Sequence, residues 1–306
     1  MTTTSLDGLD GTNPLGYLAA LGALLVADRM MEDVRLSWTS GFTNVAVIHG
    51  IALSDLVRVV MEDCDRWRDS TALGHVDGRN VDDVKFETSD DVRGYLKACA
   101  AADDGGRSLA LAQALVCEFA FDKGGKTKPS DLHFTAGKQQ FLKMARELRD
   151  EIGAEDVERA LVGPWSRPST LPSFKWDIAD DRVHAVSARK PSTEKKNTEP
   201  GAEWLALQGL AFYGVQRAGA ERVAVSGGGG SWERGSWRWA LWDPPLSAIS
   251  TMAFVNRIDV AVADVTKADA GLRMAGVTKV LSTTVMRSGK GGYGSFRPTV
   301  VLWDKD

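Results

Sequence analysis

The sequence predicts an α+β fold, helical in its first half and richer in strands in its second. Three observations predict it. Helical spacing of apolar residues dominates up to residue 163. From Pro164 onward, alternating stretches and glycine turns take over. No repeat of fixed period runs through the 306 residues. The change near 163/164 divides the chain into a mainly helical region, 1–163, and a strand-rich region, 164–306. These are two domains or one continuous domain, and the length suits either.

The elements follow in order. Asn13 is an N-cap and Pro14 a first helical residue, so a helix is expected to about Met31. Its apolar run, 13–27, is shorter than the roughly 20 residues a spanning helix needs, and Asp28 and Arg29 close it. Residues 34–38 alternate like a strand. Over 52–68, Leu53, Leu56, Val57, Val60, Met61 and Cys64 form a helical stripe. Helices are expected at 90–102 and 108–121, with Asp90 and Ser108 as caps. The clearest amphipathic helix is 136–152. Phe141, Met144, Ala145 and Leu148 share one face, and Lys138, Lys143, Arg146 and Arg149 an adjacent one. A short helix at 154–163 ends on glycine.

Beyond the prolines at 164, 168 and 172, "FKWDI" and "VHAVSAR" read as strands and 190–201 as an exposed loop. Residues 202–215 read as a helix running into a strand. Two strands around a glycine turn are expected in "RVAVSGGGGSWERGSWRWALW", and a helix at 250–258. Two strands flank the loop in "TTVMRSGKGGYGSFRP".

Composition narrows the function classes. Apolar residues make up 43% and charged residues 25%, an ordinary globular balance. Ten tryptophans suit both a core and interfaces. Cys64, Cys99 and Cys117 fit neither a disulfide framework nor a zinc knuckle, so reduced thiols and a cytoplasmic protein are expected. The acidic N-terminus lacks the basic start of a signal peptide. The first 122 residues carry twice as many acids as bases, and the remainder carries a surplus of bases. No acid lies between Asp269 and Asp304, where Arg273, Lys279, Arg287, Lys290 and Arg297 stand. That asymmetry points to a polarised surface.

No reaction centre is visible. "RSGKGGYGS" is not a P-loop, because Lys290 is followed by glycine and a strand rather than Ser/Thr and a helix. His49, His75, His133 and His184 make no metal-ligand spacing and read as core or surface histidines. Paired aspartates such as Asp82/Asp83 and Asp180/Asp181 stand where caps and turns favour Asp. Ser231 lacks the strand–elbow–helix of a hydrolase nucleophile. No cofactor or metal is expected.

Nucleic-acid contact has better support. Basic side chains bind phosphates, glycine admits close backbone approach, and aromatics stack on unpaired bases. "RSGKGGYGSFR" combines Arg287, Lys290, Tyr293, Phe296 and Arg297 with glycines. "FDKGGKTKPSDLHF" repeats the combination with Lys123, Lys126 and Lys128 between Phe121 and Phe134. The basic helix face of Lys138, Lys143 and Arg146 follows directly.

Five blocks, in order, resemble a CRISPR-associated family of type I systems, in particular type I-G (formerly I-U). They are "LDGTNPLGYLAALGALLVAD", "LHFTAGKQQFLKMARELR", "SFKWDIADDRVHAVSARKPS", "PGAEWLALQGLAFYGV" and "WALWDPPLS". The resemblance implies a cytoplasmic effector-complex subunit that contacts neighbouring subunits and guide RNA or target DNA, with no membrane role. Within such complexes base pairing reads most of the sequence while protein holds the backbone. The chain lacks the helicase and nuclease motifs of the cleaving subunit. In "FTAGKQQF", Thr135, Gly137, Lys138 and Gln139 are candidates for a helix-start phosphate site. Two other readings stand beside it: an adaptor making protein contacts only, and an enzyme with dispersed catalytic residues.

Overall fold

The computed structural model describes residues 2–76, 78–135, 139–171, 173–178, 198–219, 223–230, 234–257, 268–287 and 294–306. It has the α+β architecture, with helices mostly in the N-terminal half and strands in the C-terminal half.

The chain opens with strand β1 (Thr3–Asp10). Helix α1 (Pro14–Met30) follows, its Leu15 N–H donating to the Asn13 side chain at 3.1 Å. Strands β2 (Arg35–Trp38) and β3 (Val45–His49) complete an antiparallel sheet in the order β1–β3–β2. Sequence patterning predicts only β2 of these three. Helix α2 (Leu53–Asp65) lies within its expected stripe. A short pair, β4 (His75–Val76) and β5 (Arg79–Asn80), precedes α3 (Ser89–Ala101). The cap of α3 is Thr88 rather than Asp90, and Asp91 reaches back to the Thr88 N–H in a capping box.

Helix α4 (Arg107–Leu115) ends six residues before the expected boundary at 121, and the chain continues as β6 (Val116–Phe121), paired with β7 (Thr127–Pro129). The run VCEFAF favours a pleated strand, and the hairpin partner outweighs the helical pattern read across it. Ser108 is not a cap; its buried hydroxyl meets that of Ser70 at 3.0 Å. Helix α5 (Phe141–Glu151) starts five residues later than expected, and α6 (Ala154–Val162) ends at Gly163.

The segment expected as strand "FKWDI" is irregular instead. Phe174 and Trp176 are both buried and stack at 4.8 Å. Trp176 donates to the Leu132 carbonyl at 2.9 Å, and Lys175 between them has φ +67°. The alternation therefore marks two aromatic plugs, not a pleat. "VHAVSAR" and most of the 190–201 loop lie outside the described residues.

Helix α7 (Pro200–Gly209) is buried along its whole length and runs into a 3-10 turn over Leu210–Phe212. Then come β8 (Gln216–Arg217), β9 (Val223–Ala224), β10 (Gly228–Gly230), β11 (Arg234–Trp242), α8 (Ala248–Arg257) and α9 (Asp269–Met274). Strands β12 (Val277–Arg287), β13 (Gly294–Phe296) and β14 (Val300–Asp304) finish the chain. The second sheet runs β10–β11–β12–β13, with β14 on the same edge of β12.

One core joins the two halves, with α1 lying against α7. The crossing is at glycine: a Cβ on Gly22 would stand 1.8 Å from the Leu205 carbonyl oxygen, and one on Gly209 2.0 Å from that of Leu18. Tyr17 of α1 meets Trp38 from the first sheet at 5.5 Å and Trp237 and Trp239 from the second at 5.8 and 5.9 Å. Its buried hydroxyl lies 3.0 Å from that of Tyr213. Most of the tryptophans are thus core, and the first sheet, α1, α7 and β11 share them.

Candidate nucleic-acid interface

The segment that follows the first basic loop meets the stem of the second. The first is the β6–β7 hairpin. Asp122 closes its turn by accepting from the Gly124 and Lys126 N–H groups at 2.8 and 3.0 Å. The Lys126 N–H, opposed by desolvation and joined by the Gly124 N–H and the Lys128 and Lys126 charges, holds this carboxyl below the usual carboxylate range. Lys123 is exposed at the tip. Lys126 is exposed but pairs with Glu87 at 2.7 Å, and Lys128 is half-buried.

From Pro129 the chain turns inward. The Ser130 N–H donates to the Leu115 carbonyl, and His133 is buried against the Thr135 hydroxyl at 2.8 Å and Asp83 at 3.4 Å. Lys85 donates to the Thr135 carbonyl at 3.1 Å. Burial raises the Asp83 carboxyl, but the His133 contact and charge, Lys85 and the Val84 N–H together bring it below its ordinary value. His133 is thus a core histidine with polar partners, in keeping with its sequence context.

The second loop leaves β12 at Arg287 and returns at Gly294. Its stem docks on the same segment. The Gly294 N–H donates to the Phe134 carbonyl at 3.3 Å, and a Cβ there would lie 2.6 Å from the Phe134 ring. Phe296 meets Phe134 edge-on at 4.8 Å and stacks on Trp237 at 5.7 Å. The segment just before residues 136–138 and the base of the 287–294 loop therefore meet at Phe134, five residues beyond the lysine hairpin.

Individual residues divide sharply. Lys123 and Lys143 are exposed and make no ion pair among the described residues. Phe296 is not a stacking finger: it is fully buried, because its ring closes the core between Phe134 and Trp237. Arg146 is also inward. Its guanidinium donates to the Leu73 and Val81 carbonyls and pairs with Asp82. Arg149 is held likewise by the Trp67 and Arg68 carbonyls and Asp150. The basic helix face shrinks to Lys143. Arg297 is half-buried, and its backbone is fixed by Thr284 and Thr283. Lys138, Lys290 and Tyr293 lie outside the described residues, as does the Arg287 side chain.

The helix-start phosphate site is corrected too. Helix α5 begins at Phe141, beyond Thr135–Gln139. Its first donors are already taken: Phe141 N–H by the Asp83 carboxylate, and Leu142 and Lys143 N–H by the Asp82 carbonyl. Thr135 spends its hydroxyl on His133. In the sequence, Asp82/Asp83 reads as a turn pair and Lys85 carries no role. The alternating "VKFE" around Lys85 is the signal that could have found it.

Among the described residues, no group of three or more His, Cys, Asp or Glu is placed to hold a metal, and no helix is long and apolar enough to cross a membrane. No family model matches the chain, and no curated protein matches it in sequence.

Proposed function

We propose that this chain is a non-catalytic, nucleic-acid-binding subunit of a type I CRISPR surveillance complex in the cytoplasm, contacting the backbone of guide RNA or target DNA and neighbouring subunits. The docking of the second basic loop's base on Phe134, at the end of the stretch that carries the first, carries the reading. It ties together two stretches separated by some 160 residues of sequence, and Lys123 and Lys143 are exposed to meet phosphates. The inward placement of Phe296 and Arg146 takes one aromatic and one cation out of the contact and leaves exposed lysines for the phosphate backbone, which suits a subunit that leaves sequence reading to base pairing.

The test is a salt titration of the assembled complex on guide RNA and target duplex. Replacing Lys123, Lys143 and Lys290 with alanine weakens binding and lowers the slope of log K against log salt by about 1 for each phosphate no longer neutralised. An unchanged slope with assembly intact overturns the reading.

A second reading, protein contact alone, is favoured by apolar side chains in water: Phe42 is fully exposed, and Ile249 and Met274 are 79% and 89% exposed. Loss of assembly in variants at these positions, with the lysine variants silent, selects it.

A further inference from the structure

A cleft of about 460 Å³ opens where the end of β1, the segment after α6 and the turn after β13 face one another. That is within the range of small-molecule sites. Its polar lining includes Asp10, Asn13, Arg167 and Asp177; its apolar walls include Trp165, Ile178 and Pro298. Pro298 closes the stretch that carries the second basic loop, and the other lining residues lie outside both loops.

Arg167 is held in place from several sides. Its backbone has φ +49°, a region L-residues seldom occupy without compensation. Its N–H is accepted by buried Glu199 at 3.1 Å, and Glu199 is fixed in turn by Arg159 at 2.8 Å. The guanidinium gives Nε–H and one Nη2–H to a single Asp177 oxygen, at 3.0 and 2.8 Å. The other Asp177 oxygen accepts from Asn13 at 3.0 Å. The Trp165 ring lies 5.9 Å from the guanidinium carbon, and its own N–H is tied to the Ala160 carbonyl. The Arg167 side chain remains 36% exposed. Its Nη1 makes no hydrogen bond among the described residues.

Asp10 is the exposed carboxylate of the cleft. One oxygen accepts from the Thr12 N–H and the other from the Thr12 hydroxyl, both at 2.8 Å. The carboxylate is thereby oriented, with a lone pair left on each oxygen.

Hydrogen-bonding groups set the ligand class. Asp177 holds one edge of the Arg167 guanidinium, and the Asp10 carboxylate lines the cleft with both oxygens oriented. What remains is a fixed pair of donors, a fixed pair of acceptors and an indole wall. A guanine base matches all three: O6 and N7 accept from an arginine, N1–H and N2–H donate to a carboxylate, and the ring lies against an aromatic. Adenine offers the carboxylate only its N6 amino group, and cytosine only its N4 amino group. We propose that this cleft binds a single guanine base, from a free nucleotide or from an unpaired position in a strand.

The experiment uses the intact chain and calorimetric titration with GMP, AMP and CMP, then with oligo-dT carrying one central dG. Expected is GMP binding at least tenfold tighter than AMP or CMP. Asp10→Asn, on an exposed side chain, should abolish that preference with an unchanged thermal midpoint. Arg167→Lys should weaken GMP at least tenfold, because lysine cannot present the planar fork. A dG oligomer much tighter than GMP identifies a strand as the source, and equal affinities identify the free nucleotide; both support the site. Equal binding of the three nucleotides, no binding, or GMP affinity untouched by Asp10→Asn overturns it. Because the lysine loops are read by salt slope and this cleft by base preference, either reading can fail while the other stands.

Discussion

Among the described residues, the Asp63 cluster and the cleft both join arginine, tryptophan and a carboxylate, as Asp269 does with Arg273 and Trp303, and the first two differ in how the arginine is finished. In the interior, Asp63 of α2 is fully buried between Arg107 at 3.0 Å and Arg29 at 3.7 Å. Its other oxygen takes the Trp67 N–H at 2.9 Å, and both guanidinium groups lie over that indole. Arg29 also donates to Gln208 on α7. Burial pulls the Arg29 guanidinium down to about 10, with Asp63 opposing, so it stays charged at neutral pH. In the cleft, Asp177 takes one edge of Arg167, and that arginine keeps donors in hand. Residue types do not separate structure from function here. Enclosure does: a sealed arginine is spent on the fold, and an open one held equally firmly is available.

The comparison can be broken in several ways. Asp63→Asn removes the counter-charge of two buried cations, and a loss of about 3–5 kcal/mol in denaturant unfolding is expected. A loss below about 1 kcal/mol would mean the site is not sealed. Gly22→Ala strikes the helix contact beneath it. With a backbone oxygen where the methyl must go, roughly 3 kcal/mol is expected in the same measurement. Asp177→Asn should cost only about 1–2 kcal/mol, since Arg167 can turn to water, yet it should cost most of the guanine affinity. Asp83 is an intermediate case. Its folded pKa is depressed, so its contribution is complete above the ordinary carboxylate value and fades as pH falls through the lowered one. Asp83→Asn should therefore be less stable than the parent at neutral pH and converge with it in acid. A gap that persists at low pH contradicts that origin. Lys123→Ala, fully on the open side, should move stability by less than about 0.5 kcal/mol while weakening phosphate contact.

Local signals carried much of the fold. Asn13–Pro14, the α2 stripe and the α5 core face were legible because cap chemistry and 3.6-residue spacing act within one element. The end of α4 was not, because β6 exists through its hairpin partner. The pairing of Phe174 with Trp176 imitated a strand's alternation while filling two holes in the core. At the candidate interface the lysines were legible as types but not as roles. Whether Arg146 faces solvent depends on the Leu73 and Val81 carbonyls, more than sixty residues earlier. The cleft was invisible for the same reason, since Asp10, Arg167 and Pro298 come together only through the fold.

The glycine crossing of α1 and α7 also bears on how the chain is made. Helix α1, apolar on nearly every side, leaves the ribosome well before its partner, which is encoded nearly two hundred residues later. At about 5–20 residues per second, the wait is on the order of ten seconds or more. Through that interval the nascent chain carries an uncovered apolar helix, so the α1–α7 crossing is a contact that only a nearly finished chain can make.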